Sequence, residues 1–364
     1  MNRTGIGDPV PEVWMKPDGV PGLVSIIIPA YNRASLIAES LDSVLAQTYR
    51  PIEVVVVDDG SADNTREVVR EWTLKADAGL AVRYFHQANQ GGCAARNRGL
   101  RESQGEFINF LDSDDRLLPE ALQRKVGCLQ STNAPYCYDL GERVDEEGKP
   151  LGYHGRPWSA YDGLFFLTYH FDVVGPLIRR SLCIQTGPWH ESLSGSQEVE
   201  YFSRLKLHGG RGVFLEKVGH VLLEHTGSRI TNSPQYLRDA LKVRELVLSA
   251  IRQAGPEYAH EASFEEGKLR LTYAADATRA YQDGHLEQAL FCLKKAHQFG
   301  YSNWHVRAIF ALNRRSLRPA CLRLYFGLRG AVQAARRCLR RFAPHRVRPD
   351  PTEELYQRLE NKQS

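Results

Sequence analysis

The sequence predicts an α/β domain followed by an all-α extension. Between Val24 and Gln130, short apolar runs of strand type alternate with amphipathic stretches of helical period, which is typical of βαβ units around a mostly parallel sheet. From Ser233 onward the strand signal disappears and three or four helical patterns follow. The length of 364 residues suits two or three folded units.

Four strand and helix pairs account for the first part of the chain. The strands are VSIIIP, IEVVVVDD, AVRYFH and EFINFLD. The helical patterns that follow them cover 34–47, 64–75, 92–100 and 119–130. Because parallel strands need crossover connections of this kind, the pattern favours an open, mostly parallel sheet.

Changes in pattern divide the remainder. Residues 134–230 are less regular, with strand-like pieces at 171–178 and 212–223 that enclose a helical segment at 197–207. Asn232-Ser233-Pro234 matches a helix start, so we place a boundary there. The predicted organisation is an N-terminal arm at 1–22, the α/β domain at 23–232, a helical domain at 233–313, a basic amphipathic segment at 314–349 and a C-terminal tail at 350–364.

The net charge of +4 conceals two differently charged parts. Residues 288–349 hold twelve Arg and two Lys with no Asp or Glu, a net charge of +14. The rest of the chain holds 33 basic and 43 acidic side chains, a net charge of −10. This asymmetry disfavours a uniformly basic nucleic-acid binder.

Signals for membrane insertion and disulfides are missing from the sequence. No apolar run reaches the roughly 18 residues of a spanning helix, and the first residues lack the apolar stretch of a signal peptide. The seven Cys form no C-x-x-C pair and no zinc-ligand spacing. We therefore expect a cytosolic chain with reduced thiols.

Polar clusters follow each of the four predicted strands. Ligands of open α/β sheets bind beyond the carboxyl ends of the strands, where this chain has 29–33, 58–61, 89–92 and 112–115. Asp59-Gly60-Ser61 could also be a turn and helix cap, and Gly91-Gly92 a tight turn. Asp112, Asp114 and Asp115 repel one another unless a cation compensates them, which favours a site for Mg²⁺ or Mn²⁺ with phosphate oxygens.

Four blocks in this order and spacing resemble family 2 glycosyltransferases of the GT-A fold. They are SIIIPAYNR at 25–33, EVVVVDDGSADNT at 53–65, NQGGCAARNRGL at 89–100 and GEFINFLDSDDRLLPEAL at 105–122. The resemblance covers about 24–230 and implies a Rossmann-like nucleotide-sugar transferase domain. It also implies a nucleotide diphosphate sugar donor, most often of uridine or thymidine, a divalent cation, Mn²⁺ or Mg²⁺, and transfer with inversion.

The resemblance also implies roles for individual residues. Contacts to the nucleotide sugar would come from Pro29, Ala30, Tyr31, Arg33, Asp59, Arg96, Asn97, Asp112 and Ser113. Tyr31 would offer an aromatic face to the base, Asp59 would bind the base edge, and Asp112 would lie near the ribose and sugar. Asp114 would ligate the metal, and His225 in LLEHTGSRI would complete the metal shell unless it is simply structural.

An inverting transferase also needs a general base for the acceptor hydroxyl. By resemblance the base lies in a second acidic block, matched here by TGPWHESL at 186–193 and SGSQEVEYFSRL at 194–205. Glu198 falls at the base position, Gln197 replaces the usual first acid, and Glu200 follows as a candidate acceptor contact. A solvated helix face is the alternative for Glu198. Trp189 would stack on an acceptor sugar, or it would be an ordinary core residue.

The tail contains two further patterns. Ala277, Gly284, Ala289, Leu293 and Ala296 match part of one tetratricopeptide-like hairpin. Between 317 and 342 apolar side chains share one helical face and Arg side chains the other, which suits an anionic membrane surface. A core-packed helix and, with less support, nucleic-acid binding are the alternatives, although we expect no nucleic-acid partner.

The predicted function is an inverting glycosyltransferase that adds a sugar from a nucleotide diphosphate sugar, with uridine diphosphate sugar as the expected donor, to a glycan or lipid-linked glycan in surface polysaccharide biosynthesis. It would be cytoplasmic and peripheral at the inner face of the membrane. The alternative is a non-catalytic nucleotide-binding scaffold whose helical tail recruits partners. Nucleotidyl transfer is disfavoured because Pro29-Ala30-Tyr31 replaces the Gly-rich basic loop expected after the first strand.

Overall fold

Nine strands form a single mixed sheet in the residues that a computed structural model describes, which are 14–155, 157, 171–224, 234–282 and 285–300. The strands are β1 (Val20–Ala30), β2 (Ile52–Asp58), β3 (Leu80–His86), β4 (Gly105–Phe110), β5 (Arg116–Leu117), β6 (Tyr136–Val144), β7 (Pro150–His154), β8 (Leu177–Arg179) and β9 (Val213–Leu223). Their order is β3-β2-β1-β4-β8-β6-β9-β5, with β7 beside β6. The first four strands are mutually parallel, as the sequence predicts.

Helices connect and flank these strands. They are α1 (Ile37–Leu45), α2 (Thr65–Thr73), α3 (Gly92–Glu102), α4 (Ala121–Thr132), α5 (Arg180–Thr186), α6 (Gln197–Gly209), α7 (Pro234–Ala254), α8 (Ala259–Gln282) and α9 (Leu286–Gln298). None of the helices in the described part of the chain is long and apolar enough to cross a membrane.

The sheet is buried on both faces because its central strands are apolar throughout. Ile26 and Val54 belong to one core cluster, which includes side chains of α1, α2 and α4. Ile27 and Val55 belong to a second cluster, which includes side chains of α3, α5 and α6. Neighbouring residues point to opposite faces of a strand, so continuous apolar runs fill two cores.

The structure differs from the sequence prediction in three places. The first helix begins at Ile37 rather than at 34, because residues 33–36 form a turn. Of the predicted strand at 171–178 only β8 is extended, since Asn109 donates to the carbonyls of Val174 and Pro176 and holds that segment as a loop. The long strand β6 falls in a region where the sequence indicates little regularity.

The chain divides into two compact units between Pro256 and Glu257, whereas the sequence places a boundary at 232. Helix α7 therefore belongs to the first unit, where it packs on α6. In the second unit α8 and α9 form a hairpin that buries Ala277, Ala289 and Leu293, three residues of the tetratricopeptide-like pattern. The predicted basic segment at 314–349 lies outside the described residues.

Candidate active site

The carboxyl ends of the parallel strands β1, β2 and β3 are level with one another, and β4 ends three residues earlier. Ala30 pairs with Asp58, and Asp58 pairs with His86, while Ile27 pairs with Phe110 on the other side of β1. The strand order reverses between β1 and β4, the position at which open α/β sheets bind ligands. The loops that leave the sheet here are 31–36, 59–64, 87–91 and 111–115.

Tyr31 is exposed at this edge because hydrogen bonds to the loop after β2 fix the turn around it. Asn32 adopts a left-handed conformation with a φ of 52°. Its backbone N–H donates to Ser61 Oγ at 2.8 Å, and its Oδ1 accepts from the N–H of Ala62 at 2.9 Å. The Tyr31 side chain consequently remains 49% exposed, as a base-stacking role requires. Arg33, in the same turn, is half-buried.

Pro29 and Ala30 end β1 directly beneath this turn. Pro29 is half-buried and Ala30 is buried. The carbonyl of Ala30 accepts a hydrogen bond from the backbone N–H of Asp59 at 2.8 Å. Ala30 thus borders the site, but its carbonyl is already engaged.

Asp59 organises the loop that leads into α3. Its carboxylate accepts hydrogen bonds from the backbone N–H groups of Gln90 at 3.0 Å and Gly91 at 2.6 Å, and from Gln87 Nε2 at 2.8 Å. Gly91 has a φ of 92°, which residues with a side chain rarely adopt. A carboxylate has about four acceptor positions, so the predicted contact with a base edge has about one of them left.

The carboxylates of the acidic loop after β4 differ in how deeply they are buried. Asp115 is buried and accepts from the N–H of Leu223 at 3.0 Å. Burial raises the pKa of Asp115 well above its usual value, and the charges of Asp112 and Asp114 raise it further. The side chains of Asp112 and Asp114 are 32% and 22% exposed, while Ser113 is buried. Two carboxylates of the loop are therefore accessible to a ligand.

These two accessible carboxylates fit a hard divalent cation. No group of three or more His, Cys, Asp or Glu that could hold a metal occurs among the described residues. Mg²⁺ and Mn²⁺ need only one or two protein carboxylates when phosphate oxygens supply further ligands, so Asp112 and Asp114 suffice. Arg33 Nη2 lies 3.8 Å from Asp114 Oδ2. The predicted metal ligand His225 lies outside the described residues.

Arg96 is the buried cation behind the acidic loop. Its Nη2 donates to Asp112 Oδ1 at 2.7 Å and its Nη1 to Gln197 Oε1 at 3.1 Å. The guanidinium carbon also lies 4.9 Å from the centre of the Trp189 ring. Its Nε is buried and has no acceptor within the described residues.

The structure buries Asn97 and Trp189, and for Trp189 this agrees with the alternative of a core residue. Asn97 is buried, and its amide is consumed by the chain: Oδ1 accepts from the N–H of Trp189 at 2.7 Å, while Nδ2 donates to the Trp189 carbonyl at 2.9 Å and to Glu191 at 2.8 Å. Trp189 is 1% exposed and stacks on Tyr201 with ring centres 4.1 Å apart. Neither side chain can contact a substrate, because α3 turns Asn97 towards the segment before α6.

Glu200, the other residue predicted to contact the acceptor, is buried as well. It is 2% exposed, and its two carboxylate oxygens accept hydrogen bonds from Arg204 at 2.6 and 2.8 Å. Residues four apart in a helix share a face, and this face of α6 points into the core. The pair is therefore structural.

Glu198 is the second residue of α6 and is half-buried. Burial raises its pKa, its own backbone N–H and the charge of Arg96 oppose the increase, and the charge of Asp112 adds to it. Glu198 consequently shares an electrostatic neighbourhood with Arg96 and Asp112. A carboxylate whose pKa lies closer to neutrality is a stronger base once ionised.

Comparison with known proteins assigns this arrangement to a family. Residues 25–175 match the family model described as glycosyl transferase family 2. This part of the chain belongs to that family. The fold of the family 2 domain agrees: the structure of S. aureus TarS 1–349 in complex with UDP-GlcNAc aligns with a TM-score of 0.61 and 22% identity, covering 82% of this chain and 86% of that one.

Relatives of the family 2 domain share the domain rather than the whole protein. Putative teichuronic acid biosynthesis glycosyltransferase TuaG of Bacillus subtilis is 33% identical over 129 residues, 35% of this chain and 50% of TuaG. Glycosyltransferase GlyG of Streptococcus pneumoniae is 40% identical over 113 residues, 31% of this chain and 36% of GlyG. The chain spans between about a fifth and a half of the length of the curated relatives it matches.

Two features of the site escape sequence reasoning. The bond from the Leu223 N–H to Asp115 joins groups 108 residues apart, and the bond from Arg96 to Gln197 joins groups 101 apart. No local pattern marks such pairs. The one available signal is Gln197, which departs from the family's usual acid and so draws attention to its position.

Proposed function

We propose that the chain is a metal-dependent inverting glycosyltransferase that transfers a sugar from a nucleotide diphosphate sugar to a hydroxyl of a glycan or lipid-linked glycan. The observation that supports this most is the placing of the accessible carboxylates of Asp112 and Asp114 at the same sheet edge as the exposed ring of Tyr31. The complexes of S. aureus TarS 1–349 with UDP-GlcNAc and with UDP support a uridine diphosphate sugar as the donor.

The proposed donor site is formed by residues at the carboxyl ends of the strands. Tyr31 stacks on the base, and the remaining acceptor position of Asp59 takes a base N–H. Asp112 and Asp114 hold Mg²⁺ or Mn²⁺, which supplies charge neutralisation for the diphosphate leaving group.

Glu198 acts as the base in this proposal. Its carboxylate takes the proton of the acceptor hydroxyl as the oxygen attacks the anomeric carbon. The bond from that carbon to the diphosphate oxygen breaks on the opposite side, so the anomeric configuration inverts. The position of Glu198 in the first turn of α6 supports the role, because backbone N–H groups there stabilise the ionised form.

The acceptor is inferred from the relatives and the tail. TuaG is described as a teichuronic acid biosynthesis enzyme, which supports a role in surface polysaccharide biosynthesis. The +14 segment at 288–349 supports association with an anionic membrane surface, where a lipid-linked glycan is accessible. We place the protein in the cytoplasm at the inner face of the membrane.

Calorimetry and turnover test the proposal together. Wild-type protein is titrated with UDP in the presence and absence of Mn²⁺, and a panel of nucleotide sugars is assayed for donor hydrolysis and transfer. We expect Mn²⁺-dependent UDP binding and turnover of at least one donor. Asp114→Asn should remove both, while Glu198→Gln should lower turnover at least a hundredfold and leave the UDP affinity within about twofold.

Glu67→Gln is the matched control, because Glu67 is an exposed glutamate in the first turn of α2. It should retain wild-type turnover. Wild-type turnover in Glu198→Gln would exclude Glu198 as the base. UDP binding without turnover of any donor would favour the scaffold alternative.

A further inference from the structure

Three segments of the first unit meet at one buried guanidinium. Arg96, on α3, donates from Nη2 to Asp112 in the loop after β4 and from Nη1 to Gln197, the first residue of α6. The second residue of α6 is Glu198. The Arg96 side chain is 10% exposed, and its hydrogen bonds measure 2.7 Å to Asp112 and 3.1 Å to Gln197. They therefore link a carboxylate of the proposed donor site to the helix that carries the proposed base.

The surroundings hold the guanidinium in one orientation. Its carbon lies 4.9 Å from the ring centre of Trp189, which is itself stacked on Tyr201 of α6. The guanidinium of Arg96 is planar, so its two Nη groups can keep two acceptors at a fixed separation. A lysine ammonium cannot do this. Asn97, the next residue of α3, accepts a hydrogen bond from the Trp189 N–H and donates one to the Trp189 carbonyl.

Gln197 is anchored at both ends of its amide. Its Oε1 accepts from Arg96, and its Nε2 donates to the carbonyl of Leu193 at 2.9 Å. Gly92 leaves room for this contact, because a Cβ there would lie 3.2 Å from Arg96 Nη1. Ser196, just before the helix, adopts a left-handed conformation and makes no side-chain cap bond. The amide of Gln197 is thus the side chain that fixes the start of α6.

We propose that Gln197 is a positioning residue, and that the Asp112–Arg96–Gln197 bridge holds the first turn of α6, and with it Glu198, at a set distance from the donor carboxylates. This inference rests on the proposed function. The bridge needs an acceptor oxygen at position 197 and does not need a charge there, since Asp112 already neutralises Arg96. Both Gln and Glu supply that oxygen, whereas a side chain of similar length without it does not.

The test compares Gln197→Met with Gln197→Glu. Met keeps the length of the side chain but has no strong acceptor, and Glu keeps the oxygen. Both replacements lose the donor to the Leu193 carbonyl, so the two variants differ in the acceptor for Arg96. We expect Gln197→Met to lower kcat at least tenfold while KM for the donor and the UDP–Mn²⁺ affinity change less than twofold, because misplacing a base by about 1 Å can cost up to a hundredfold. Gln197→Glu should restore kcat to within about threefold of wild type.

Arg96→Lys completes a double-mutant cycle. If Arg96 and Gln197 act through one bond, the fold loss of kcat in the double variant will be smaller than the product of the fold losses in Arg96→Lys and Gln197→Met. Equal parallel losses of kcat and UDP affinity in Gln197→Met, or a Gln197→Glu protein as slow as Gln197→Met, would overturn the proposal, and so would fully multiplicative effects in the cycle.

Amide hydrogen exchange separates the bridge from the catalytic proposal. Exchange of the second-turn amides of α6, at 201–204, whose N–H groups donate to the carbonyls of the first turn, should rise at least fivefold in Gln197→Met and stay near wild type in Gln197→Glu, whether or not any donor is turned over. Unchanged exchange in Gln197→Met would overturn the bridge even in an active enzyme. If the wild type turns over no donor but the variants show the expected exchange, the proposed function is rejected and the bridge is retained.

Discussion

A buried charge network behind the site makes the stability of the first unit depend on pH. His220 of β9 is fully buried between two carboxylates: Nδ1 lies 3.1 Å from Asp139 Oδ1, and Nε2 lies 2.8 Å from Asp172 Oδ2. Lys125 of α4, also fully buried, lies 3.1 Å from Asp139. Gly219 leaves space for the network, since a Cβ there would overlap the Asp139 carboxylate.

The size of the effect follows from His220. Burial alone would lower its pKa, but the charge of Asp172 and the hydrogen bonds to Asp139 and Asp172 raise the pKa to about 9. Against an ordinary value of about 6.5, the increase corresponds to about 3 kcal/mol of folding free energy. The folded pKa is the higher one, so this contribution is complete below about pH 6.5 and is lost as the pH rises through about 9.

His220→Gln removes the titrating group. We expect the difference between wild type and variant in the free energy of unfolding to shrink by about 3 kcal/mol from pH 6.5 to pH 9.5, or roughly 6–12 °C in Tm. Thermal unfolding across that range measures it. Lys125 and His154 also act on the two carboxylates, and both groups are present in wild type and in the variant.

His86→Gln is the control, because His86 is exposed at the end of β3. Its free energy of unfolding should stay close to that of wild type. A His220→Gln difference that stays constant from pH 6.5 to pH 9.5 would refute the reasoning, because it would mean that the histidine is neutral in the folded protein.

Three further predictions concern single features. Asn97→Ala leaves the buried N–H and carbonyl of Trp189 unpaired and should cost about 2 to 4 kcal/mol in the free energy of unfolding, measured by denaturant titration with the exposed Asn64→Ala as the neutral reference. Tyr31→Ala should weaken UDP binding roughly tenfold or more through the loss of base stacking, whereas Tyr31→Phe should bind normally in calorimetry; equal affinities would exclude the stacking role. Replacing four Arg of the basic segment with Gln should reduce sedimentation with anionic vesicles at least tenfold and leave UDP binding intact, and unchanged sedimentation would contradict the membrane role. The four are Arg336, Arg337, Arg340 and Arg341.

Sequence patterns are sufficient for the first half of the fold because the relevant interactions are local. Apolar runs such as IEVVVVD become strands, and the helical periods between them become α1 to α4. Polar groups at the ends of those runs reach one edge of the sheet for a geometric reason: parallel strands end on the same side. Tyr31, Asp112 and Asp114 are predictable as site residues on this basis alone.

Tertiary structure decides which polar residues can meet a substrate. Asn97, Trp189 and Glu200 match the family pattern as well as Glu198 does, yet their partners lie across the fold or on the buried face of α6 and consume them. Burial and pairing depend on chain segments about a hundred residues away, as the Arg96 bond to Gln197 illustrates. The sequence by itself determined the four parallel strands of the sheet, their ligand edge and the acidic loop, because those depend on period and strand direction. Only the folded chain decided which carboxylates stay accessible and what holds the proposed base in place, because those depend on long-range contacts that no local pattern encodes.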